Sequence, residues 1–390
     1  MKVAIVKERR AFERRVAASP DTVKHMTGMG LEVAVETGAG AAAFFVDAAY
    51  EAAGATIAAD EEAALAGADV VLKVQRPLLG GKAGQLNELK LIKKGAAMIG
   101  LLSPLEHATD VRAYAKAGVA AMAMELVPRI TRAQTMDVLS SQANLAGYKA
   151  ALDAAAEFGR AMPMMMTAAG TIKAARVLVM GAGVAGLQAI ATARRLGAVV
   201  SATDVRAAAK EQVESLGANF LMVDEEAAKS AETTGGYARE MGEDYQRRQR
   251  EAITMALKRT DIVICTALVP GRKAPVLLTA EMLEALAPGS VVADIAVESG
   301  GNVEGSKPEE TVTTANGVKI IGYANAPAHI PVDASLLYAR NLLAFLALIV
   351  DSEKKLRIDI SDEIVKAALL TMDGAVVNPA LAAPSAQPAQ

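Results

Sequence analysis

The sequence predicts an α/β protein built from two doubly wound domains with parallel sheets, joined by long helices. Short β-branched runs alternate with helical patterns almost throughout the 390 residues. Near-continuous apolar strands separated by helices are the mark of parallel sheets covered on both faces. The strand runs also fall into two series, and a chain of this length exceeds one ordinary core.

The first series has strands over 3–6, 32–36, 70–74, 97–101 and 120–125, with a helix over 21–29. A proline-free helical link follows over 133–158. The second series has strands over 176–180, 199–203, 220–223, 262–266, 291–295 and 318–322, with helices over 184–196 and 280–287. A further helical pattern over 334–349 predicts that the chain returns to the first domain near residue 330. The expected division is 1–135 with 330–380 for the first domain and 140–328 for the second. The Ala/Pro/Gln-rich end, 381–390, is expected to be disordered.

Composition excludes several functions. Hydrophobic residues make up 52% and charged residues 22%, which suits large soluble cores. The net charge of -3 gives no basic footprint for nucleic acid. One cysteine, Cys265, forbids an internal disulfide and is expected in the core. The N-terminus lacks the order of a signal peptide. The longest apolar stretches, 177–193 and 336–350, are interrupted by polar or glycine residues, so no membrane span is expected.

The strand over 176–180 runs directly into Gly181-Ala-Gly183-Val184-Ala-Gly186 and then a helix. The first glycine permits a tight turn and the second lets a pyrophosphate approach the backbone. The third allows close helix–strand packing, and the helix N-terminus supplies amide donors. The next strand ends at Asp204, 21 residues beyond Gly183. An acid there accepts hydrogen bonds from adenosine ribose hydroxyls and repels a 2′-phosphate. This Rossmann-like unit therefore predicts NAD(H) in preference to NADP(H). A second glycine run, Gly38-Ala39-Gly40 with Ala43, has no acid at the following strand end and is expected to be a structural turn.

The rest of the chain offers little acid–base chemistry. His25 and His107 are expected to be solvated, whereas His329 lies after the last strand, where a sheet ligand can bind. No cluster has metal-ligand spacing. The methionine-rich stretch 162–166 is expected to pack in a core. Two polar segments stand out. Pro128 to Asp137 leads into Ser140-Ser141-Gln142 at the domain junction. Asp224 to Asp261 is longer than a crossover helix requires and contains Thr233-Thr234-Gly235-Gly236-Tyr237, followed by a charged helix over 239–259. It is a candidate lid beside the cofactor.

Over nearly its whole length the sequence resembles the proton-translocating NAD(P) transhydrogenases, in the form whose NAD(H)-binding domain is a separate alpha subunit. The motifs are KERRAFERRVAASP at 7–20, PRITRAQTMDVLSSQANLAGY at 128–148, PMMMTAAGT at 163–171 and VLVMGAGVAGLQAIATARRLGA at 177–198. ATDVR at 202–206, AETTGGYAREMGE at 231–243 and ALVPGRKAP at 267–275 complete the match. The resemblance implies hydride transfer from NADH to NADP+ held on a partner domain, coupled to proton movement by a membrane subunit. It implies that Arg129, Gln134 and Asp137 position the nicotinamide end. Arg129 and Ser140 would contact the carboxamide, and Gln134 would reach toward the partner's nucleotide. Val184, Val205, Arg206, Gly236, Tyr237, Ala267 and Leu268 would join the glycine turn and Asp204 in holding the cofactor, with Tyr237 at the tip of a closing loop. It further implies a homodimer, cytoplasmic and peripheral on the inner membrane through its partners.

Alanine dehydrogenases are similar in the N-terminal pattern, and Arg15 matches their substrate-carboxylate arginine. Their pattern also needs a lysine where Gln75 stands here, a histidine near Leu102, and an aspartate where Glu298 stands. Without a proton acceptor, amino-acid oxidation is the weaker expectation.

Overall fold

Val3, Ala4 and Ile5 are fully buried in the first strand, β1 (Lys2–Ile5), as expected for a run covered on both faces. The computed structural model describes residues 1–80, 86–222, 242–268 and 271–382. The chain divides into two compact units, Met1–Gln142 with Ile330–Gln390, and Ala143–His329.

Unit 1 carries a six-stranded sheet. Its strands are β1, β2 (Glu32–Glu36), β3 (Thr56–Ala58), β4 (Val70–Gln75), β5 (Ala97–Leu101) and β6 (Ala120–Ala123), in the order β3-β2-β1-β4-β5-β6. Every pairing is parallel. Alternate residues serve two cores. Val3, Ile5, Val35 and Leu72 pack with Tyr338, Leu342 and Phe345 of the helix Pro331–Leu346. Ala4, Val71, Met98 and Ala121 pack with Val111 and Tyr114 of the helix Ala108–Ala117. The returning chain is also hydrogen-bonded to the sheet and to the segment that follows β1. Tyr338 Oη donates to the carbonyls of Lys73 (2.8 Å) and Val74 (3.2 Å), Ser335 Oγ accepts from Val16 N (3.1 Å), and Thr371 Oγ1 accepts from Ala121 N (3.1 Å).

Unit 2 contains a hairpin of β7 (Met165–Thr167) and β8 (Gly170–Ile172) and a seven-stranded sheet. The sheet strands are β9 (Arg176–Met180), β10 (Val199–Thr203), β11 (Asn219–Phe220), β12 (Ile262–Cys265), β13 (Val291–Asp294), β14 (Thr311–Thr313) and β15 (Lys319–Gly322). Their order is β11-β10-β9-β12-β13-β15-β14, and only the edge strand β14 is antiparallel. The order reverses between β9 and β12, the crevice where open α/β sheets bind ligands. Cys265 is fully buried beneath that crevice, and burial pushes its thiol pKa well up.

The fold class is as the sequence predicts, with local corrections. β3, β14, the β7–β8 hairpin and a small antiparallel pair of Thr371–Met372 with Ala375–Val376 are additional. The methionine stretch is not uniformly core: Met162 is buried, but Met164, Met165 and Met166 are exposed by 62%, 41% and 78%. Methionine's apolarity fixed no inward direction because the segment forms a projecting two-stranded hairpin. Among the described residues no helix is long and apolar enough to cross a membrane. Gly236 and Tyr237, the rest of 223–241, and most of the expected tail lie outside the described residues.

Candidate dinucleotide site

β9 delivers the chain to Gly181, whose φ of +100° suits glycine and whose added Cβ would lie 2.8 Å from Thr266 Oγ1. Gly186, in the first turn of the helix Val184–Arg195, leaves no room either: a Cβ there would lie 1.8 Å from Gly181 O. At Gly183 an added Cβ would meet nothing within 4 Å. Two glycines thus close the turn, and the middle one faces open space where backbone can meet a pyrophosphate. No side chain caps this helix. Thr266 Oγ1 donates to Gly181 O at 3.0 Å, tying the turn to the end of β12. The same helix meets Val138–Glu157 at backbone distance, since a Cβ on Gly147 would lie 1.9 Å from Ala185 O.

Asp204 follows β10, and its side chain is only 6% exposed. Its Oδ2 accepts from Ala182 N (2.8 Å) and Arg206 Nη2 (2.8 Å), and its Oδ1 accepts from Arg206 N and Nε (both 2.9 Å). Burial would raise the carboxyl pKa, but the Arg206 guanidinium outweighs it and holds the group below its ordinary value. The acid is therefore ionised and fixed against the glycine turn. Nothing in the residue pattern signalled its occupation by Arg206.

Ala267 and Leu268 follow β12, with Leu268 43% exposed. Ala267 N donates to Asn302 Oδ1 (3.0 Å), and Asn302 Nδ2 donates to the carbonyls of Ala267 (2.9 Å) and Pro275 (2.8 Å). Asn302 N donates in turn to the fully buried Asp294 carboxylate. Asp294 and Asn302 thus fix the loop beside the turn. Sequence reading missed both, although a buried acid ending a strand run was a visible signal. Val184 is 37% exposed at the helix start and Val205 is half-buried beside Asp204.

Arg129, Gln134, Asp137 and Ser140 belong to unit 1. Arg129 and Gln134 are exposed. Asp137 caps the helix Val138–Glu157, accepting from Ser140 N (2.9 Å) and from Ser140 Oγ (2.6 Å). The segment is pinned on both sides. Asn341 Nδ2 donates to Thr135 O at 2.7 Å, and Arg132 forks onto Asp362 at 2.6 and 2.8 Å, drawing that carboxyl pKa down to about 2.

The groups aligned with alanine dehydrogenase chemistry are differently engaged. Arg15 Nε and Nη2 donate to Glu13 (2.8 and 2.7 Å), and Nη1 donates to Gln142 (2.8 Å). Gln75 Nε2 also donates to Glu13, at 2.7 Å. Leu102 is fully buried, and Glu298 accepts from Asn325 N at 2.8 Å. His329 Nε2 lies 3.0 Å from Glu309 Oε1, while His25 is exposed on its helix. His107 precedes the helix Ala108–Ala117, its pKa lowered by burial and by Arg76. Gly38 N, in the second glycine run, donates to Asp47, and Gly40 packs against Phe45 and Tyr50. Among the described residues no group of three or more His, Cys, Asp or Glu can hold a metal ion.

Fold and turn together define a dinucleotide-binding α/β protein. The chain belongs to the alanine dehydrogenase/PNT family: residues 4–146 match its N-terminal domain and residues 150–379 its C-terminal domain. It is 56% identical to the first portion of NAD(P) transhydrogenase subunit alpha of Rhodospirillum rubrum, covering 98% of this chain and 99% of that one. The protein of the same name from Rickettsia prowazekii is 45% identical over 97% of this chain and 96% of its own. The crystal structure of transhydrogenase from Sinorhizobium meliloti is 50% identical with a TM-score of 0.85, covering 97% of this chain and all of that chain. Alanine dehydrogenase of Bacillus subtilis is more distant, 28% identical over 98% of this chain and 94% of its own. The chain is thus a homologue of transhydrogenase alpha subunits, and the amino-acid dehydrogenase reading is disfavoured.

Proposed function

We propose that this chain is the NAD(H)-binding component of a proton-translocating transhydrogenase, exchanging hydride with NADP(H) held on a partner and active only with that partner. The observation that carries this reading is the glycine turn, closed at Gly181 and Gly186 and open at Gly183, in a chain whose segment 98–103, around the buried Leu102, holds no histidine where alanine dehydrogenases would place their base. Hydride passing directly between two nicotinamides releases no proton at the reacting carbon, so positioning and exclusion of water replace acid–base chemistry.

When bound, NADH supplies the hydride. The Gly181–Gly186 turn seats its pyrophosphate, Asp204 its adenosine ribose, and Val205, Arg206, Ala267 and Leu268 its flanks. Arg129 and Ser140 orient the carboxamide, Gln134 reaches toward the partner's nucleotide, and Asp137 fixes Ser140. Gly236 and Tyr237, outside the described residues, are further contacts to the nucleotide in this reading. A homodimer fits the exposed hairpin, whose Met165, Met166 and Ile172 carry apolar surface suited to a second copy. Attachment to the cytoplasmic face of the inner membrane would come through a membrane subunit.

The test uses the purified chain. It should bind NADH yet reduce nothing alone, and adding an NADP(H)-binding partner should restore NADH-dependent transfer. Rapid alanine-dependent reduction of NAD+ by the chain alone would overturn the proposal.

A further inference from the structure

Unit 1 has its own point of reversal in strand order, between β1 and β4. Open α/β sheets bind ligands beyond the carboxyl ends of the strands at such a point. Arg10 stands after β1 and Arg76 directly after β4. Arg10 Nε donates to Arg76 O (2.8 Å) and its Nη2 to Pro77 O (3.0 Å), which fixes its guanidinium beside the second arginine. Arg76 Nη1 pairs with Asp110 Oδ2 at 2.9 Å. Among the described residues, Arg10, Arg76, Leu78, Leu79, Leu86 and Asp110 line a cavity of about 390 Å³. That volume falls within the roughly 300–1,000 Å³ of small-molecule sites.

The wall has two parts. Two guanidiniums face one carboxylate, a formal surplus of one positive charge. Burial and the neighbouring Arg76 hold Arg10 below its ordinary pKa, and the opposing pull of Asp110 and Glu88 is not enough to restore it. Three leucines supply the other part. We propose that this cavity binds a small amphipathic anion, its carboxylate or phosphate-ester head on Arg10 and Arg76 and its short hydrocarbon body on the leucines. A guanidinium fork matches either head group, and the apolar wall favours an organic anion over a bare ion. None of these residues takes part in the dinucleotide site.

Calorimetric titration of the full chain with hexanoate, hexyl phosphate, hexanol and inorganic phosphate tests the proposal. At least one hexyl anion should bind saturably, the tighter one identifying the head group, while hexanol should not bind. Arg10→Gln and Arg76→Gln should each weaken binding at least tenfold with NADH binding intact. Asp110→Asn removes the opposing charge and should tighten binding, a direction that damage to the fold would not produce. Failure of both hexyl anions to bind, binding that survives both arginine substitutions, or no tightening in Asp110→Asn would each overturn the proposal.

Discussion

Arg206 and Asp204 are locked together: with the Ala182 amide, Arg206 fills the acceptor positions on both oxygens of the carboxylate. A ribose hydroxyl reaching Asp204 must therefore compete with the Arg206 fork. Asp204→Asn should weaken NADH binding by about 10- to 100-fold, the scale of losing one or two hydrogen bonds to a charged group. It should also narrow the preference over NADPH. Fluorescence titration with both nucleotides reads the two effects, and an unchanged NADH affinity would mean that the acid serves Arg206 alone.

The glycine turn separates fit from binding. Gly186→Ala forces a methyl into Gly181 O, and overpacking of this kind costs roughly 1–3 kcal/mol or more. Its melting temperature should drop along with NADH affinity. Gly183→Ala adds a methyl to open space, so melting should hold while NADH affinity falls at least about tenfold, the equivalent of about 1.4 kcal/mol. Equal melting losses in the two variants would contradict this division.

Arg129→Ala should slow hydride transfer by about 10²- to 10³-fold in the reconstituted enzyme, as for loss of one positioned donor. NADH affinity should change less, because the adenosine half is untouched. Matching losses in rate and affinity would make Arg129 a uniform binding contact instead.

Two buried acids set a pH dependence. Burial and the neighbouring Glu88 raise Glu61 to about 7, and burial raises Glu125 to about 7. The unfolded chain releases these protons near the ordinary value of 4.5, so between there and 7 it binds fewer protons than the folded one. Their contribution is full below the ordinary value and is lost as pH rises through the folded one. Melting should therefore be lower at about pH 8 than at about pH 5.5, and Glu61→Gln or Glu125→Gln should shrink the gap. A gap unaltered in both variants would assign it to other groups.

The long parallel strands and the dinucleotide turn were legible because each has a local cause. Runs such as 262–265 are apolar throughout because both faces are covered, and a Cβ on Gly181 or Gly186 would collide with Thr266 Oγ1 or with the Gly181 carbonyl. β3 and β14, each three residues long and at sheet edges, carry too few residues for a period to register. The exposed methionines show a different limit, since apolarity does not say which surface a residue will cover. Asp137 and Ser140 show another. A helix cap and a cofactor contact require the same residue types, and only geometry reveals that here they are paired with each other.

The bonds from Tyr338, Ser335 and Thr371 back into the first 142 residues span 265, 319 and 250 residues. During synthesis the first 142 residues emerge without the helix that covers one face of their sheet, whereas 143–329 form a continuous stretch. Domains mature as their sequence becomes available, and distant closures are slow. The unit begun first on the ribosome is thus the one completed last, once the returning chain has emerged.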